Sequence, residues 1–148
     1  MTVTSLTGHN FPTGTSFNRE AWIELTVFNN EEHIYSSGKI NNDENLNLLD
    51  SQLLLFSSYL IDENGENTSN ITDFETMENN TLSPYQQRYH NYNINIPNST
   101  VGQLIVQARL LFRPFKPNFI LEHHPEFINN LPVFVVDEII STVQVVDE

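Results

Sequence analysis

One histidine lies in a loop-like stretch near the start of the chain, among residues suited to holding an imidazole in place. The stretch "TGHNFPTG" runs from Thr7 to Gly14 and contains His9. Gly8 and Gly14 can adopt backbone angles closed to other residues, and Pro12 fixes its own φ angle. A neutral imidazole held in one orientation is a competent metal ligand. The alternative is that His9 only forms hydrogen bonds within its own loop.

Three arginines supply half of the six positive side chains on a very acidic chain: Arg19, Arg109 and Arg113. A guanidinium group binds a carboxylate through two parallel hydrogen bonds. Each arginine could therefore hold a loop or strand within the domain, or bind an acidic group across an interface. Pairing with acidic residues of the same chain is the simpler alternative. Trp22 is expected on the more polar face of its strand, near an edge or a partner, as a core residue or as an interface anchor.

Two short acidic motifs have the composition of metal sites but the wrong geometry. "EHHPE", from Glu122 to Glu126, contains two histidines and two carboxylates. Adjacent side chains of an extended segment point to opposite faces, so His123 and His124 are poorly placed to bind one ion, and a solvated loop is expected. In "DENGE" the glycine, Gly65, comes fourth, whereas an EF-hand has it sixth, so this motif predicts a hairpin turn.

No motif for catalysis is present. The chain contains no cysteine, no GxSxG, no glycine-rich phosphate loop and no HExxH, and the many carboxylates follow from its acidic composition. We therefore predict that it is not an enzyme. Without cysteine there is also no disulfide, no thiolate metal site and no CxxCH motif for covalent haem attachment.

The charge and hydropathy of the chain exclude further classes of function. The formal net charge is −13, which repels phosphate backbones and anionic membrane surfaces. The longest apolar runs, such as "VFVV" at Val133 to Val136, are far shorter than the roughly 20 residues that cross a bilayer. The start, "MTVTSLTG", lacks the features of a secretory signal. We expect neither nucleic-acid binding nor membrane insertion.

Short segments rich in β-branched and aromatic residues recur along the chain, separated by Asn, Asp, Gly, Ser and Pro. In "AWIELTVF" the residues Ala21, Ile23, Leu25 and Val27 form a uniformly apolar face, which is expected to point inward. Further strand candidates are "HIYSSGKI", "SQLLLFSSYLID", "RYHNYNINI", "QLIVQARLLF", "PVFVV" and "IISTVQVV".

The tract from Asp62 to Asn80 is polar throughout and is expected to form one long, mobile surface loop. Seven or eight strands without helices between them predict a single all-β domain over residues 1–148. The expected architecture is an antiparallel two-sheet sandwich of immunoglobulin-like type. An open barrel is the competing architecture.

Several segments together resemble the haem-free β-sandwich domain at the C-terminal end of many multihaem c-type cytochromes. "TGHNFPTG" is followed by "REAWIELTVFN" and "YSSGKI", where that family has a GHxFPTG loop, an Arg, a Trp-containing strand and a strand ending in Ser-Gly. "ARLLFRPFKPNFI" and "LPVFVV" are similar to the family's Arg-rich strand and closing Leu-Pro-Val. Ser83-Pro84-Tyr85 departs from the family's Pro-Gly-Glu turn, and the haem-bearing part is missing.

The resemblance implies a non-catalytic module that packs on or connects multihaem cytochrome domains in periplasmic or extracellular electron transfer. No haem would be covalently bound to this chain, but it would contact haem c of a neighbouring domain or chain. His9 is then the candidate axial ligand in trans, and Arg19 and Arg113 are candidates to bind haem propionates. The alternative is a recognition or adhesion module outside the cell that binds a glycan or a protein through its loops. The oligomeric state is left open.

Overall fold

The structure, a computed structural model, describes residues 1–40 and 45–145. Strands dominate it, with one short helix and one 3₁₀ turn near the C-terminal end. The elements are β1 (Thr2–Thr4), β2 (Glu20–Asn29), β3 (Glu32–Ser37), β4 (Leu55–Asp62), β5 (Asn67–Thr68), β6 (Phe74–Asn79), β7 (Gln87–Tyr89), β8 (Gly102–Arg113), α1 (Pro117–His123), the 3₁₀ turn (Pro125–Asn130) and β9 (Phe134–Val145). They form two antiparallel sheets, which confirms the predicted all-β sandwich.

The large sheet is built around β2. Its path is β5-β4-β2-β8-β9, with β3 also on β2 and β6 also on β4. β2 pairs with β8 over its whole length, from Glu20 opposite Arg113 to Asn29 opposite Leu104. Its other edge is shared between β4 and β3. Among the described strands this path does not close on itself, so the open sheet, not a barrel, is the architecture.

The small sheet, β1 and β7, lies over one face of the large sheet. The predicted inward face of β2, formed by Ala21, Ile23, Leu25 and Val27, is buried. The first three of these residues pack in one apolar cluster with residues from β4, β8, the opening loop and the segments on either side of β7, including Phe56, Ala108, Phe11, Leu82, Tyr92 and Ile94. Burying a large apolar side chain contributes about 1.5–3 kcal/mol, so this cluster holds the two layers together.

Trp22 lies in a second apolar cluster on the opposite face of β2. Its ring packs with Leu46 and Leu111 and is fully buried, and its Nε1 donates a hydrogen bond to the Gly38 carbonyl oxygen at 2.8 Å. The prediction that Trp22 lies near an edge is wrong, because β2 is the interior strand and is covered on both faces.

Two of the predicted segment boundaries, one of a loop and one of a strand, are wrong, because local composition does not reveal which segments pair as strands. The tract from Asp62 to Asn80 is not one long loop: it contains β5 and β6, which pair with β4 although β6 is exposed throughout. The described residues therefore contain nine strands. Of the candidate strand "RYHNYNINI", only Arg88 and Tyr89 pair with β1, as part of β7. Its later residues Tyr92 and Ile94 are unpaired but still pack on the core.

Two other candidates, "PVFVV" and "IISTVQVV", form the single strand β9. Leu110 lies opposite Asp137 and Leu111 opposite Val135, so Val136 is an extra residue in a β-bulge. The last residue of the second candidate, Val146, lies outside the described residues. The helix α1 was not expected, although Pro117 at its first turn is a typical helix start.

Candidate functional site

The opening loop, residues 7–14, is fixed to the sandwich through Phe11 and Pro12. Phe11 and Leu82 exchange two backbone hydrogen bonds of 2.8 Å, and the Phe11 ring lies 6.2 Å from the Phe112 ring. Pro12 is fully buried. The middle of the loop is therefore part of the core, and this positions the residues on either side.

Arg19 holds the second half of the same loop. Its Nη1 donates a hydrogen bond to the Thr13 carbonyl oxygen at 2.8 Å. Gly14 has a φ of 71°, and a Cβ added there would lie 3.2 Å from that nitrogen. The glycine is thus required both by its backbone angle and by the guanidinium packed against it. This is an intramolecular role for Arg19, one of the alternatives that the sequence left open.

His9 is exposed in the first half of the loop. Its Nδ1 lies 3.1 Å from the Asn10 carbonyl oxygen, and the Thr7 hydroxyl donates to the His9 carbonyl oxygen at 2.8 Å. A carbonyl oxygen can only accept, so this hydrogen bond requires the proton on Nδ1. In the neutral ring of this tautomer Nε2 carries the lone pair, the form in which an imidazole binds a metal.

Arg113 lies in the interior and is not placed to bind an anion at the surface. Its guanidinium pairs with the Glu20 carboxylate across β2 and β8 and lies 5.3 Å from the centre of the Trp22 ring. Only 1% of the Arg113 side chain is exposed. Contact with a haem propionate would require this pair to open, so that role stays a prediction. Arg109, predicted to point outward, pairs with Glu24 at the surface.

Lys116 is a second cation at this end of the sheet. Its Nζ donates to the Ser58 carbonyl oxygen at 2.6 Å and lies 3.8 Å from the centre of the Tyr59 ring. Its backbone N–H donates to the Asn18 carbonyl oxygen at 2.7 Å. Burial lowers the pKa of Lys116 to about 8, although the nearby charge of Glu20 opposes the change.

The carboxylate of Asp50 holds the turn after β3 in place through hydrogen bonds. It accepts hydrogen bonds from the Ser37 hydroxyl at 2.7 Å, the Gly38 N–H at 3.1 Å and the Gln52 N–H at 2.9 Å. Burial tends to raise the pKa of Asp50, but these hydrogen bonds and the nearby His90 hold it below its usual value. The Ser-Gly ending noted in the sequence is therefore a buried structural corner.

An aromatic cleft that the sequence did not predict lies beside α1, just beyond the end of β8. It has a volume of about 590 Å³. Phe115 and Phe119 are stacked with centres 6.0 Å apart, and Phe119 lies 4.6 Å from the His123 ring. His124 lies 6.1 Å from Phe127. Phe119 and His123 are four residues apart on α1 and share one helix face, and this spacing could have revealed part of the cleft.

The segment "EHHPE" is exposed, as expected, but it is not a loop. It contains the end of α1 and the start of the 3₁₀ turn, and both His123 and His124 line the aromatic cleft. The prediction that His123 and His124 point to opposite faces assumed an extended backbone. It fails here because α1 ends at His123 and the 3₁₀ turn begins at Pro125. Within residues 1–40 and 45–145, however, no group of three or more His, Asp or Glu side chains is placed to hold a metal ion.

The candidate residues therefore separate into two places. His9 and Arg19 belong to one structure, the opening loop. Arg113 lies in the interior with Glu20. The aromatic cleft is a third feature, formed by residues that did not figure in the predicted site.

Comparison with solved structures identifies a protein of the same fold. The chain is similar to the crystal structure of a penta-heme cytochrome c552 from Thermochromatium tepidum, with a TM-score of 0.72 and 18% sequence identity. The match covers 96% of this chain and 34% of that chain, so the chain spans about a third of the length of that cytochrome. At this identity the likeness shows the fold alone. No protein-family model matches the chain, and no curated protein does.

Within residues 1–40 and 45–145, neither α1 nor the 3₁₀ turn has the length and apolar character of a membrane-spanning helix.

Proposed function

We propose that this chain is a non-catalytic β-sandwich module that associates with a multihaem c-type cytochrome in periplasmic or extracellular electron transfer. It packs on or connects haem-bearing domains, and it offers His9 as an axial ligand to haem iron on a neighbouring domain or chain. The observation that carries the proposal is the shared fold with a penta-heme cytochrome over 96% of the chain. The opening motif "TGHNFPTG" supports it independently.

The geometry of the opening loop fits a ligand role for His9. A loop anchored at Phe11 and held by Arg19 keeps the exposed imidazole on a rigid support. The Asn10 carbonyl oxygen selects the tautomer with an unprotonated Nε2, and imidazole is a common axial ligand of haem iron. A haem in such an assembly would supply the redox chemistry. Since the chain has no cysteine, the haem would be held covalently by the neighbouring domain or chain.

The association is tested by isolating the tagged chain from its own cells. We expect c-type haem to copurify in a fixed ratio to the chain, measured from the pyridine haemochrome spectrum. Absence of haem from the isolated material would contradict the proposed association.

The ligand role is tested with a haem c peptide whose sixth coordination site is open. Titrating the chain into this probe should shift its Soret band, and the His9→Ala variant should lose the shift. His33→Ala, which removes another exposed imidazole, is the matched control and should behave like the wild type. Equal shifts for wild type and His9→Ala would remove the ligand role and leave the packing role intact.

A second candidate function is recognition of a protein segment, and the aromatic cleft favours it. Phe127 is about half exposed and lines a cleft in which three phenylalanines and two isoleucines supply the apolar surface, which suits an apolar anchor side chain. A peptide selected from a library against the chain should bind about tenfold more weakly to Phe127→Ala. Leu49→Ala, an exposed apolar residue elsewhere, is the control.

A further inference from the structure

The edge strand β9 exposes an unusual amount of apolar surface. Every residue from Phe134 to Gln144 is exposed. Six large apolar side chains are between 50% and 64% exposed, and they lie on both faces of the strand: Phe134, Val135, Val136, Ile139, Ile140 and Val143. Within the described part of the chain, no strand pairs with the outer edge of β9. A long apolar edge strand of this kind is a site for pairing with another strand.

The other long exposed edge strand is protected by charge, whereas β9 is not. β6 carries Glu75 and Glu78 among its six residues, and charged side chains on an edge oppose edge-to-edge pairing. From Ile139 to Val145, β9 has no charged residue, on a chain whose net charge is −13. The uncharged stretch is therefore the place where two such acidic chains can meet with the least repulsion.

Symmetry limits the registers in which β9 can pair with its copy. Two identical antiparallel strands in one sheet are related by a two-fold axis perpendicular to the sheet. Such an axis leaves each face of the sheet on its own side, so opposite residues must point to the same face. One residue must therefore lie opposite its own copy at the axis. Ile139, Ser141 and Val143 share the face of Ala108, and Ile140 and Thr142 share the opposite face.

One register matches the side chains on both faces. With Ser141 on the axis, Ile139 lies opposite Val143 of the copy, and Ile140 lies opposite Thr142 of the copy. Cross-strand pairs of β-branched residues stabilise a sheet. The straight part of the strand ends at the bulge at Val136, so pairing extends over residues 137–145.

The same register keeps the two copies of Glu138 apart. Glu138 lies opposite Gln144 of the copy, so the two Glu138 residues are six positions apart along the strand. At 3.4 Å per residue this is roughly 20 Å, well beyond the Debye length of about 8 Å at physiological salt. Registers shifted in either direction place Ile139 opposite Ser141 or Ile140 opposite Gln144.

We propose that β9 pairs antiparallel with β9 of a second copy of this chain, with Ser141 opposite Ser141 of that copy. The two large sheets then form one continuous sheet across the dimer. This interaction does not depend on the proposed association with a cytochrome, and the two are measured by different signals.

The register is tested by disulfide crosslinking, which is clean because the chain has no cysteine. Directly opposite residues have Cα atoms about 4.5–5.5 Å apart, within the range that a disulfide bridges. Ser141→Cys should therefore form a covalent dimer on mild oxidation at least about tenfold faster than Thr76→Cys on β6. Equal rates, or faster crosslinking of Ile140→Cys or Thr142→Cys, would overturn the proposal.

The dimer itself is tested by analytical ultracentrifugation over a dilution series. The wild-type chain should be dimeric at high concentration and dissociate on dilution. Ile140→Lys should weaken the dimer about tenfold or more, since the charge enters twice in one apolar edge. Leu49→Lys places the same charge on another exposed apolar residue and should have no effect. A wild-type chain that stays monomeric at every concentration, or equal effects of the two substitutions, would refute the pairing.

Discussion

At the scale of single residues, the opening loop and the corner after β3 depend on glycines for different reasons. Gly14 leaves room for the Arg19 guanidinium that holds the loop. Gly38 has a φ of 69°, and a Cβ added there would overlap the Ile23 carbonyl oxygen and lie 3.2 Å from Trp22 Cδ1. The indole of Trp22 also requires this corner as its hydrogen-bond acceptor. One small residue thus fixes the position of the largest buried side chain.

Gly38→Ala should therefore lower the free energy of unfolding by several kcal/mol, because it adds a steric clash to an unfavourable backbone angle. Gly65→Ala is the matched control: its φ of 81° is also positive, but nothing lies within 4 Å of the added Cβ. We expect a loss of about 1–2 kcal/mol for the control. Urea denaturation measures both, and equal losses would contradict the packing argument.

At the scale of secondary-structure elements, two ion pairs join β2 to β8 at different depths. Glu20 and Arg113 are directly opposite each other and buried, whereas Glu24 and Arg109 are opposite each other in the same strand pair but nearer the surface. The exposed fraction of the arginine is 1% in the first pair and 36% in the second. We therefore expect the two ion pairs to contribute differently to the free energy of unfolding, although they join the same residue types across the same two strands.

Arg113→Met should destabilise the protein by about 3–5 kcal/mol, because it leaves the Glu20 carboxylate buried without its partner. Arg109→Met should cost about 1 kcal/mol or less, since exposed pairs contribute little. The double variant Glu20→Leu with Arg113→Met should recover much of the loss. Thermal or urea unfolding of the variants tests this, and equal costs for the two arginines would show that burial is not the cause.

At the scale of the whole molecule, partly buried ionisable groups join segments distant in sequence and affect the pH dependence of stability. Lys116 joins the end of β8 to β4 and to Asn18, and its folded pKa of about 8 lies below its usual value of 10.5. Burial, followed by nearby acidic groups, raises the pKa of Tyr59 above its usual 10.0. The lysine and the tyrosine therefore act on stability in opposite directions.

The free energy of unfolding should rise between about pH 8 and pH 10 and fall above that. In the first window the unfolded chain keeps the Lys116 proton and the folded protein has lost it, so unfolding takes up a proton and becomes less favourable as pH rises. Above pH 10 the unfolded tyrosines ionise while folded Tyr59 does not, which reverses the slope. Lys116→Met should remove the rise, and Lys39→Met, which changes an exposed lysine, should keep it. A flat wild-type profile from pH 8 to pH 10 in urea titrations would contradict the assignment.

The sequence by itself determined the fold class and the inward face of its central strand. Alternation of apolar and polar side chains over Ala21 to Val27 is a local property, and burial of one face follows directly from it. The opening motif likewise indicated a fixed loop around His9, because glycine and proline constrain the backbone wherever they occur. The position of His9 in an exposed and anchored loop agrees with that expectation, while its role as a ligand stays a prediction.

Tertiary structure alone decided which strands pair and which strands are buried on both faces. Polar segments such as Phe74 to Asn79 become strands only because β4 offers them an edge, and "YNINI" stays unpaired because it finds none. Trp22 and Arg113 are interior because residues distant in sequence, such as Leu46 and Val133, cover that face of β2. The exposure of β9 is decided in the same way, because nothing in the described chain reaches its outer edge. Strand pairing and the burial of both faces of a strand depend on residues distant in sequence, and no local pattern contains that information.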